Sequence, residues 1–380
     1  MASAPVPAFL QHYLQDGITP STVISTGIAL LAVCVLGNVL YTLKFHALAG
    51  FPGPRLAAIS RIPWWLSCLT GNQVAWIQQL HAHYGPVVRF SPNDLSFADQ
   101  GGNIWKEIHA FERGRDEYAK AEEWFPVPLN GVPNILRLEY DDHRRVRQCF
   151  SPAFSDRALK KQESLFQTHA DLLVSTMGKM SAEGTPADMV LLYNMVSFDI
   201  MANFTFGQPL GMLENMELSP WVEGVFESVK VWPIVQIIQY YPILEALFPL
   251  LEPKFVRTMR KNHFNWTVEH VDKRLRDGSD QPDLWNLVLS AEKRGRGLSL
   301  DEMHNNAELL MIAGSETTAT LMAGLTYYLL VNPRNMQLLT DELRNSFTRL
   351  DDITMDSTAN LKYLNACMPP SFHPQLHTLY

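Results

Sequence analysis

Residues 313–318 read AGSETT, and they lie in the middle of the longest helix-patterned segment of the chain, Leu300–Val331. Ser299 and Glu302 have the S-x-x-E spacing of a capping box at the start of this segment, and Asn332-Pro333 follows its end. The pattern therefore predicts one helix over 300–331. A glycine inside a helix costs about 1 kcal/mol relative to alanine, so close packing around position 314 has to compensate.

The residue types in this run favour chemistry on one side of the helix. Ala313, Gly314 and Thr317 are spaced i, i+1 and i+4, which predicts a face of small residues beside a hydroxyl, open to a large flat group. The Thr317 hydroxyl can donate to the Ala313 carbonyl. Glu316 has no cation at i±3 or i±4, and a carboxylate next to an alcohol suits proton delivery to a bound reactant. The alternative is a tightly packed structural helix with Glu316 reaching solvent.

Composition excludes several other classes of function. The net charge is -8, which argues against a nucleic-acid partner because such proteins carry a basic surface. We predict no metal site, since Pro374 separates His373 from His377 and breaks their helical i, i+4 presentation. The four cysteines have neither metal-motif nor redox-motif spacing, and they are Cys34, Cys68, Cys149 and Cys367.

The N-terminal region predicts a membrane anchor. Residues 23–43 carry no charge, and their number matches the roughly 20 residues that a helix needs to cross a bilayer. Residues 1–22 contain no Lys or Arg, whereas Lys44 and Arg55 follow the apolar stretch. Because basic residues favour the cytoplasmic side, we expect residues 1–22 in the lumen and the main domain in the cytosol. A buried core helix at the start of the chain is the alternative.

The rest of the chain predicts a mainly α fold with a small β-sheet region. A proline-rich hinge is predicted over 44–60, and its run Phe51-Pro52-Gly53-Pro54-Arg55 is expected to be a stiff, non-helical connector. A turn signal at 91–94 between Pro86–Phe90 and Leu95–Phe97 predicts a β-hairpin. Helical patterns then follow over Asp156–Met180, Met189–Phe206, Trp221–Leu251, Pro253–Asp277 and Pro333–Phe347. Three prolines interrupt the region 221–251, at positions 233, 242 and 249.

These segments resemble, in their order, the cytochrome P450 family. The run 313–318 matches the (A/G)-G-x-(D/E)-T-(T/S) signature of the distal helix that crosses the haem in that family. The proline-rich segment resembles the hinge after the signal anchor, and 85–97 resembles the first two strands. Residues 142–155 resemble the family's C helix and the turn after it. The resemblance implies a P450-like domain over 61–367, of the fungal, membrane-anchored kind.

The resemblance also implies roles for individual residues. Glu316 and Thr317 would deliver protons to oxygen held at the haem iron, and Ala313 and Gly314 would line the oxygen-binding groove. Arg147 matches the arginine that contacts a haem propionate, in keeping with the fit of a guanidinium to a carboxylate. His143 takes the place where many members have tryptophan.

Cofactor, partners and location follow from the same resemblance. The cofactor would be haem, the substrate a hydrophobic small molecule of fungal secondary metabolism, and the electron donor NADPH-cytochrome P450 reductase. The protein would be a single-pass protein of the endoplasmic reticulum membrane. A non-catalytic, membrane-anchored helical protein with a binding or regulatory role is the alternative function.

The sequence departs from the family pattern near its printed end. Residues 361–367 resemble the opening of the family's K helix, but 368–380 form a divergent tail with three prolines. The Glu-x-x-Arg motif and the Phe-x-x-Gly-x-Arg-x-Cys-x-Gly loop that would supply the proximal thiolate do not follow, and none of the four cysteines takes that place. We therefore expect this form to bind haem weakly or not at all.

Overall fold

The structure, a computed structural model, describes residues 20–98, 104–109, 118–121, 124–125, 128–252, 254–278, 283–292 and 297–368. The chain forms two compact units, residues 1–116 and residues 117–380. The described part is mostly helical and contains one two-stranded sheet, so the predicted mainly α fold is confirmed. The division at 116 falls inside the predicted 61–367 domain, and the predicted tail from 369 onward and the N-terminus up to 19 lie outside the described residues.

The first unit begins with the apolar helix and ends after the hairpin. Its elements are α1 Pro20–Lys44, α2 Arg55–Ile59, α3 Ile62–Leu69, α4 Gln73–Tyr84, β1 Val87–Arg89, β2 Leu95–Phe97 and α5 Ile104–His109. Helix α1 contains the predicted 23–43 segment, and Ser21–Lys44 is long and apolar enough to cross a membrane. The side chains of this helix are almost all exposed, so it is not a buried core helix of the first unit.

The proline-rich segment packs directly on the hairpin. Strands β1 and β2 pair antiparallel, as the turn signal predicts, and Val87 lies opposite Phe97. The backbone N–H of Arg89 donates to the Pro52 carbonyl at 2.7 Å. A Cβ at Gly53 would lie 2.1 Å from the Arg89 carbonyl oxygen, so only glycine allows this approach. The expected stiffness of the connector therefore comes from strand contact as well as from proline.

The second unit is a helical assembly around two long helices. Its elements are α6 Tyr140–Phe150, a 3₁₀ turn Ser151–Phe154, α7 Asp156–Lys161, α8 Glu163–Glu183, α9 Met189–Phe206, α10 Met212–Asn215, α11 Pro220–Tyr240, α12 Pro242–Leu251, α13 Lys254–Asp277, α14 Leu284–Glu292, α15 Leu300–Val331, α16 Pro333–Ser346, a 3₁₀ turn Leu350–Asp352, α17 Met355–Thr358 and α18 Lys362–Cys367.

Two of the predicted helices are each divided into two. The 156–180 pattern is broken at Gln162, where α7 ends and α8 begins. The 221–251 pattern is broken at Tyr241 because Pro242 starts a new helix, whereas Pro233 is tolerated inside α11. The other predicted helix boundaries agree with the structure to within a few residues.

The core of the second unit lies where α9 packs along α15. Helix α9 is apolar enough to cross a membrane, but more than half of it is buried within the protein, so it is a core helix. Phe198 of α9 and Met311 of α15 have no exposed surface, and Trp285 of α14 closes the same cluster from another side. Burial of apolar area on this scale, at about 25 cal/mol per Å², dominates the stabilisation of the unit.

Three buried charged side chains of this core, Arg274, Asp283 and Asp199, have hydrogen-bond partners. Arg274 of α13 forms a bidentate ion pair with Asp283, at 2.5 and 2.9 Å, and both side chains are almost completely buried. Asp283 also accepts from the Asn286 backbone at the start of α14. Asp199 of α9 accepts from the backbone N–H groups of Met212 and Leu213 and so begins α10. Because unpaired buried charges are costly, these links fix the helices relative to one another.

Candidate functional site

The predicted site lies on α15, whose start is built as the sequence predicts. Ser299 is the N-cap, its side chain accepts from the Glu302 backbone, and the Glu302 carboxylate accepts from the Ser299 backbone at 2.7 Å. Both halves of the capping box are therefore present. The helix runs unbroken to Val331, where Asn332-Pro333 ends it.

One face of α15 is open in its middle. Ala313 and Thr317 are exposed and lie one turn apart, and Thr320 and Leu321 continue the exposed face by another turn. The Thr317 hydroxyl donates to the Ala313 carbonyl at 2.7 Å, as predicted. Since Ala313 carries only a methyl group, a flat ligand could approach the helix backbone here without displacing a protein side chain. Two of the three residues of the predicted face, Ala313 and Thr317, are thus exposed together.

The neighbouring face of α15 is packed tightly on α9, and Gly314 belongs to it. A Cβ at Gly314 would lie 2.6 Å from Met201 Sδ, so the glycine is explained by the approach of another helix. Ser315 is fully buried beside it and donates to the Met311 carbonyl at 2.7 Å and to the Ser197 carbonyl at 3.4 Å. Gly314 and Ala313 therefore have different surroundings, and a groove-lining role for Gly314 stays a prediction.

Glu316 lies at the edge between these two faces. Its side chain is half-buried, and no residue in the described ranges forms an ion pair or hydrogen bond with its carboxylate. Because α-helical neighbours are about 100° apart, the carboxylate and the Thr317 hydroxyl extend in different directions from the helix. The structure therefore leaves an acid that can reach solvent next to an alcohol on the open face.

The predicted propionate-binding residues lie on α6. This helix buries Val146 and Phe150 and exposes Arg147 on its other side, while His143 is half-buried. Neighbouring guanidinium groups are used within the helix, since Arg144 pairs with Asp141 at 3.1 Å. Within the described ranges no acidic group pairs with Arg147, so its charge is available to a carboxylate ligand.

A charged link that the sequence reasoning missed fixes α6 against the start of α15. Arg145 forms a short ion pair with the Glu302 carboxylate and a longer one with Asp142, at 3.2 Å. Burial raises the pKa of the Glu302 carboxyl, but hydrogen bonds from Arg145 and the Ser299 backbone outweigh burial and hold that pKa below its ordinary value. One carboxylate thus caps α15 and holds the helix that carries Arg147.

Two buried asparagines add a second connection on the same side. The Asn306 side chain accepts from the Ile135 backbone at 2.9 Å, and the Asn305 amide donates to Asn130 at 2.7 Å and to the Val132 carbonyl. They attach the segment before α6 to the first turns of α15. The polar run His304-Asn305-Asn306 inside an otherwise apolar helix was the available signal, but it does not name its partners.

Histidine contacts join α15 to the helices on its other side. His304 is buried, and its Nε2 lies 2.9 Å from Asp272 on α13. His263 of α13 lies 3.2 Å from Glu308, and its ring stacks on Trp221 of α11 with 4.6 Å between centroids. The first half of α15 is therefore linked to α6, to the segment before α6 and to α13, and these links hold the open face around Ala313 in place.

Sequence comparison identifies the family. A sequence model described as Cytochrome P450 matches residues 52–369, most of the chain. The chain belongs to the cytochrome P450 family. This P450 chain is 41% identical over 332 residues to the cytochrome P450 monooxygenase FUM2 of Gibberella moniliformis, covering 87% of this chain and 70% of that protein. It is 35% identical over 378 residues to the versicolorin B desaturase of Dothistroma septosporum, covering 96% and 72%.

Another relative is named as a hydroxylase. The averantin hydroxylase of Dothistroma septosporum is 36% identical over 342 residues, covering 90% of this chain and 64% of that protein. The P450 chain spans about two thirds of the length of the curated relatives it matches. The cytochrome P450 family is one of oxidoreductases, and membership in it implies a haem cofactor.

The residues present fit a haem in the way this family implies. The exposed Ala313 and Thr317 offer a face on which a flat macrocycle can lie, and no described side chain covers them. Arg147 offers an exposed guanidinium for a propionate, on a helix that Arg145 and Glu302 attach to α15. The cation and the open face therefore belong to two elements that are linked to each other.

Proposed function

We propose that this protein is a membrane-anchored, haem-dependent monooxygenase that oxidises a hydrophobic small molecule in fungal secondary metabolism. The observation that carries the proposal is the open face of α15, where Ala313 and Thr317 are exposed although the face beside them is packed on α9. A purely structural helix in the centre of a unit would be covered on that face as well.

The chain's own residues would hold the cofactor from two directions. Ala313 leaves room for the macrocycle, and Arg147 would donate to a propionate in a charge-assisted hydrogen bond. His143, one turn before Arg147, is placed to contribute a weaker contact. When bound, haem supplies the oxygen activation that no amino-acid side chain can supply.

Thr317 and Glu316 would have separate roles in proton transfer. The hydrogen of the Thr317 hydroxyl is donated to the Ala313 carbonyl, so the hydroxyl oxygen is left to accept from a water or ligand on the open face. Glu316 has no cation to hold it and reaches the protein surface, where it can exchange a proton with solvent. Together they would pass protons from solvent to the open face.

The location and partners belong to the same proposal. Helix α1 would span the endoplasmic reticulum membrane once, with the rest of the protein in the cytosol, where NADPH-cytochrome P450 reductase would supply electrons. Versicolorin B and averantin, named for two relatives, are the first substrates to test. Both choices follow from similarity and commit only to a hydrophobic small molecule.

Because the sequence predicts weak haem binding by this form, haem titration of the purified chain up to high haem concentration tests the central observation. We expect Ala313→Trp to weaken haem binding at least tenfold, because the indole would cover the open face. Leu330→Trp, at another exposed position of α15, should leave the affinity unchanged. Equal affinities for the two variants would show that the haem does not lie against Ala313.

A second titration tests the cation. Arg147→Gln should weaken haem binding about tenfold, since a charge-assisted hydrogen bond contributes about 1.5 kcal/mol. The matched control is Arg144→Gln, which removes a surface guanidinium already paired with Asp141. Reductase-dependent turnover of a hydrophobic substrate then separates the enzyme from the non-catalytic alternative, which predicts binding without product.

A further inference from the structure

Helix α1 carries a single amide side chain within its apolar length. Asn38 lies six residues before Lys44, the only charged residue of the helix, which is about 9 Å along the helix axis. With Lys44 at the level of the headgroups, the Asn38 amide lies inside the hydrocarbon. The Asn38 side chain is exposed on α1, and no residue in the described ranges makes a hydrogen bond with it.

An amide at this depth requires a hydrogen-bonding partner. The Asn38 side chain offers two N–H donors and an acceptor oxygen, and lipid chains can pair with none of them. Asparagine is also too short to reach the headgroups as lysine or arginine does. The Thr42 hydroxyl one turn later is satisfied within the helix, because it donates to the Asn38 and Val39 carbonyls at 2.9 and 3.1 Å. The Asn38 amide has no such internal solution.

Asn38 lies in a seam of exposed residues with heptad spacing. The seam residues are alternately four and three positions apart, and they are Gly27, Leu31, Cys34, Asn38 and Tyr41. This is the a/d pattern of two helices that pack side by side, with Asn38 at an a position and Cys34 at a d position. A Cβ at Gly27 would meet nothing within 4 Å, so another helix backbone can approach the seam there.

The seam fits a second copy of this chain. Two copies that are inserted in the same orientation have parallel anchor helices, and in a parallel pair equivalent a positions face each other. The two Asn38 amides then lie at the same depth, and each can donate an N–H to the oxygen of the other. The asparagine is thus its own complement, whereas a different membrane protein would need a polar side chain at this depth.

The end of α1 is attached to the rest of the first unit. The Arg89 guanidinium is buried and donates to the Thr42 carbonyl in the last turn of α1 at 2.8 Å. It also donates to the Pro92 carbonyl in the hairpin turn at 2.7 Å. Because these bonds limit rotation of the last turn of α1 on the hairpin, the direction of the seam is fixed relative to the first unit.

We propose that α1 is a dimerisation helix, through which two copies pair in parallel along the seam with their Asn38 amides hydrogen-bonded to each other. The inference rests on the proposed membrane anchoring by α1. It adds that the protein is a dimer in the bilayer. The contact between the anchors also sets how the two first units face each other.

Cysteine cross-linking of the full chain in lipid vesicles, at a low ratio of protein to lipid, tests this pairing. In a Cys367→Ser background the only other cysteines, Cys68 and Cys149, are buried, so Cys34 is the available thiol. A short oxidation pulse with copper phenanthroline should give a disulfide-linked dimer through Cys34. The control is Cys34→Ala with Leu36→Cys, which places the thiol on the opposite side of α1 and should stay monomeric. Equal cross-linking from both positions overturns the proposal.

The same vesicles distinguish a failure of pairing from a failure of anchoring. The Leu36→Cys thiol should be protected from a membrane-impermeant maleimide, because it lies in lipid. Reaction of this thiol refutes the anchoring by α1. Protection of this thiol, together with no disulfide through Cys34, leaves the anchoring intact and overturns the pairing.

Substitution of Asn38 gives a second readout. Asn38→Leu should weaken the dimer about tenfold, measured by how the Cys34 cross-linked fraction falls as lipid is added. Asn38→Gln keeps an amide and should restore the dimer. Ser25→Leu is the matched control on the other side of α1, where the hydroxyl already donates to the Thr22 carbonyl at 3.1 Å. A dimer that is no weaker in Asn38→Leu than in Ser25→Leu overturns the proposal.

Discussion

The two halves of helix α15 have different surroundings. In the first half, residues 302–307 and Met311 are buried, and Glu302, Asn305 and Asn306 link the helix to α6 and to the segment before α6. The second half, from Ala313, is packed on one side and open on the other. One continuous helix therefore provides a rigid frame over part of its length and a ligand-accessible surface over the rest.

This difference indicates which residues fix the open face of α15 relative to α6. Within the part of the chain that the structure describes, no hydrogen bond or ion pair links the open face at Ala313 directly to α6, where Arg147 lies. The distance between the open face and Arg147 depends on the link between Arg145 and Glu302, three turns before Ala313 along α15. Residues of the frame are thus positioning residues, and they should affect stability strongly, whereas residues of the open face should affect it weakly.

The largest effect should come from breaking the frame at Glu302. Glu302→Ala removes a capping box and an ion pair that is partly buried, and together these contribute about 2 kcal/mol to the free energy of unfolding. The measurement is urea unfolding of the chain in mild detergent. Its control is Glu316→Ala on the same helix, where no described residue bonds to the carboxylate, and we expect a change within about 0.5 kcal/mol. Equal losses in the two variants would contradict the division of the helix.

The second prediction concerns the pH dependence of the same link. The pKa of Glu302 is lower in the folded chain than the ordinary value of about 4.3, so its contribution to stability is fully present above that value. The contribution is lost as pH falls through the folded-state pKa. The difference in unfolding free energy between the wild type and Glu302→Gln should therefore be largest near neutral pH and shrink below about pH 4. A difference that stays constant down to acidic pH would refute the role of the ionised carboxylate.

Local signals in the sequence were enough to predict much of this arrangement. The capping box, the terminating Asn332-Pro333 and the turn at 91–94 each act within a few residues, and the helix and hairpin that they predict are confirmed. The Thr317 hydroxyl and the Ala313 carbonyl are also one helical turn apart, so the hydrogen bond between them was predictable.

Contacts between distant residues were not predictable in the same way. Nothing local indicates that Glu302 pairs with Arg145, or that Asn306 accepts from Ile135, because their partners lie far away in the sequence. Gly314 shows that the partner of a small residue cannot be predicted from the sequence either. A glycine in a helix indicates a close approach, but the sequence does not distinguish a bound ligand from the Met201 side chain that is found there.

The third prediction tests that packing explanation of Gly314. Alanine at this position gains about 1 kcal/mol of helix propensity, but its Cβ would meet Met201 Sδ, so Gly314→Ala alone should leave the unfolding free energy nearly unchanged. In a Met201→Ala background the same substitution should stabilise by about 1 kcal/mol, since the obstructing thioether is gone. Independent, additive effects of the two substitutions would show that Met201 is not what the glycine accommodates.

The smallest effect on stability should come from Thr317, which lies on the open face of α15. Its side chain is exposed and its hydroxyl bonds within its own helix, so Thr317→Ala should change the unfolding free energy by no more than about 0.5 kcal/mol. Haem affinity should also be retained. The yield of oxidised product per NADPH consumed should fall, because the acceptor oxygen on the open face is lost. Thr318→Ala is the matched control, since that hydroxyl donates in the same way to the Gly314 carbonyl at 2.9 Å. If both variants lower the yield equally, the effect is one of helix geometry and not of the Thr317 oxygen.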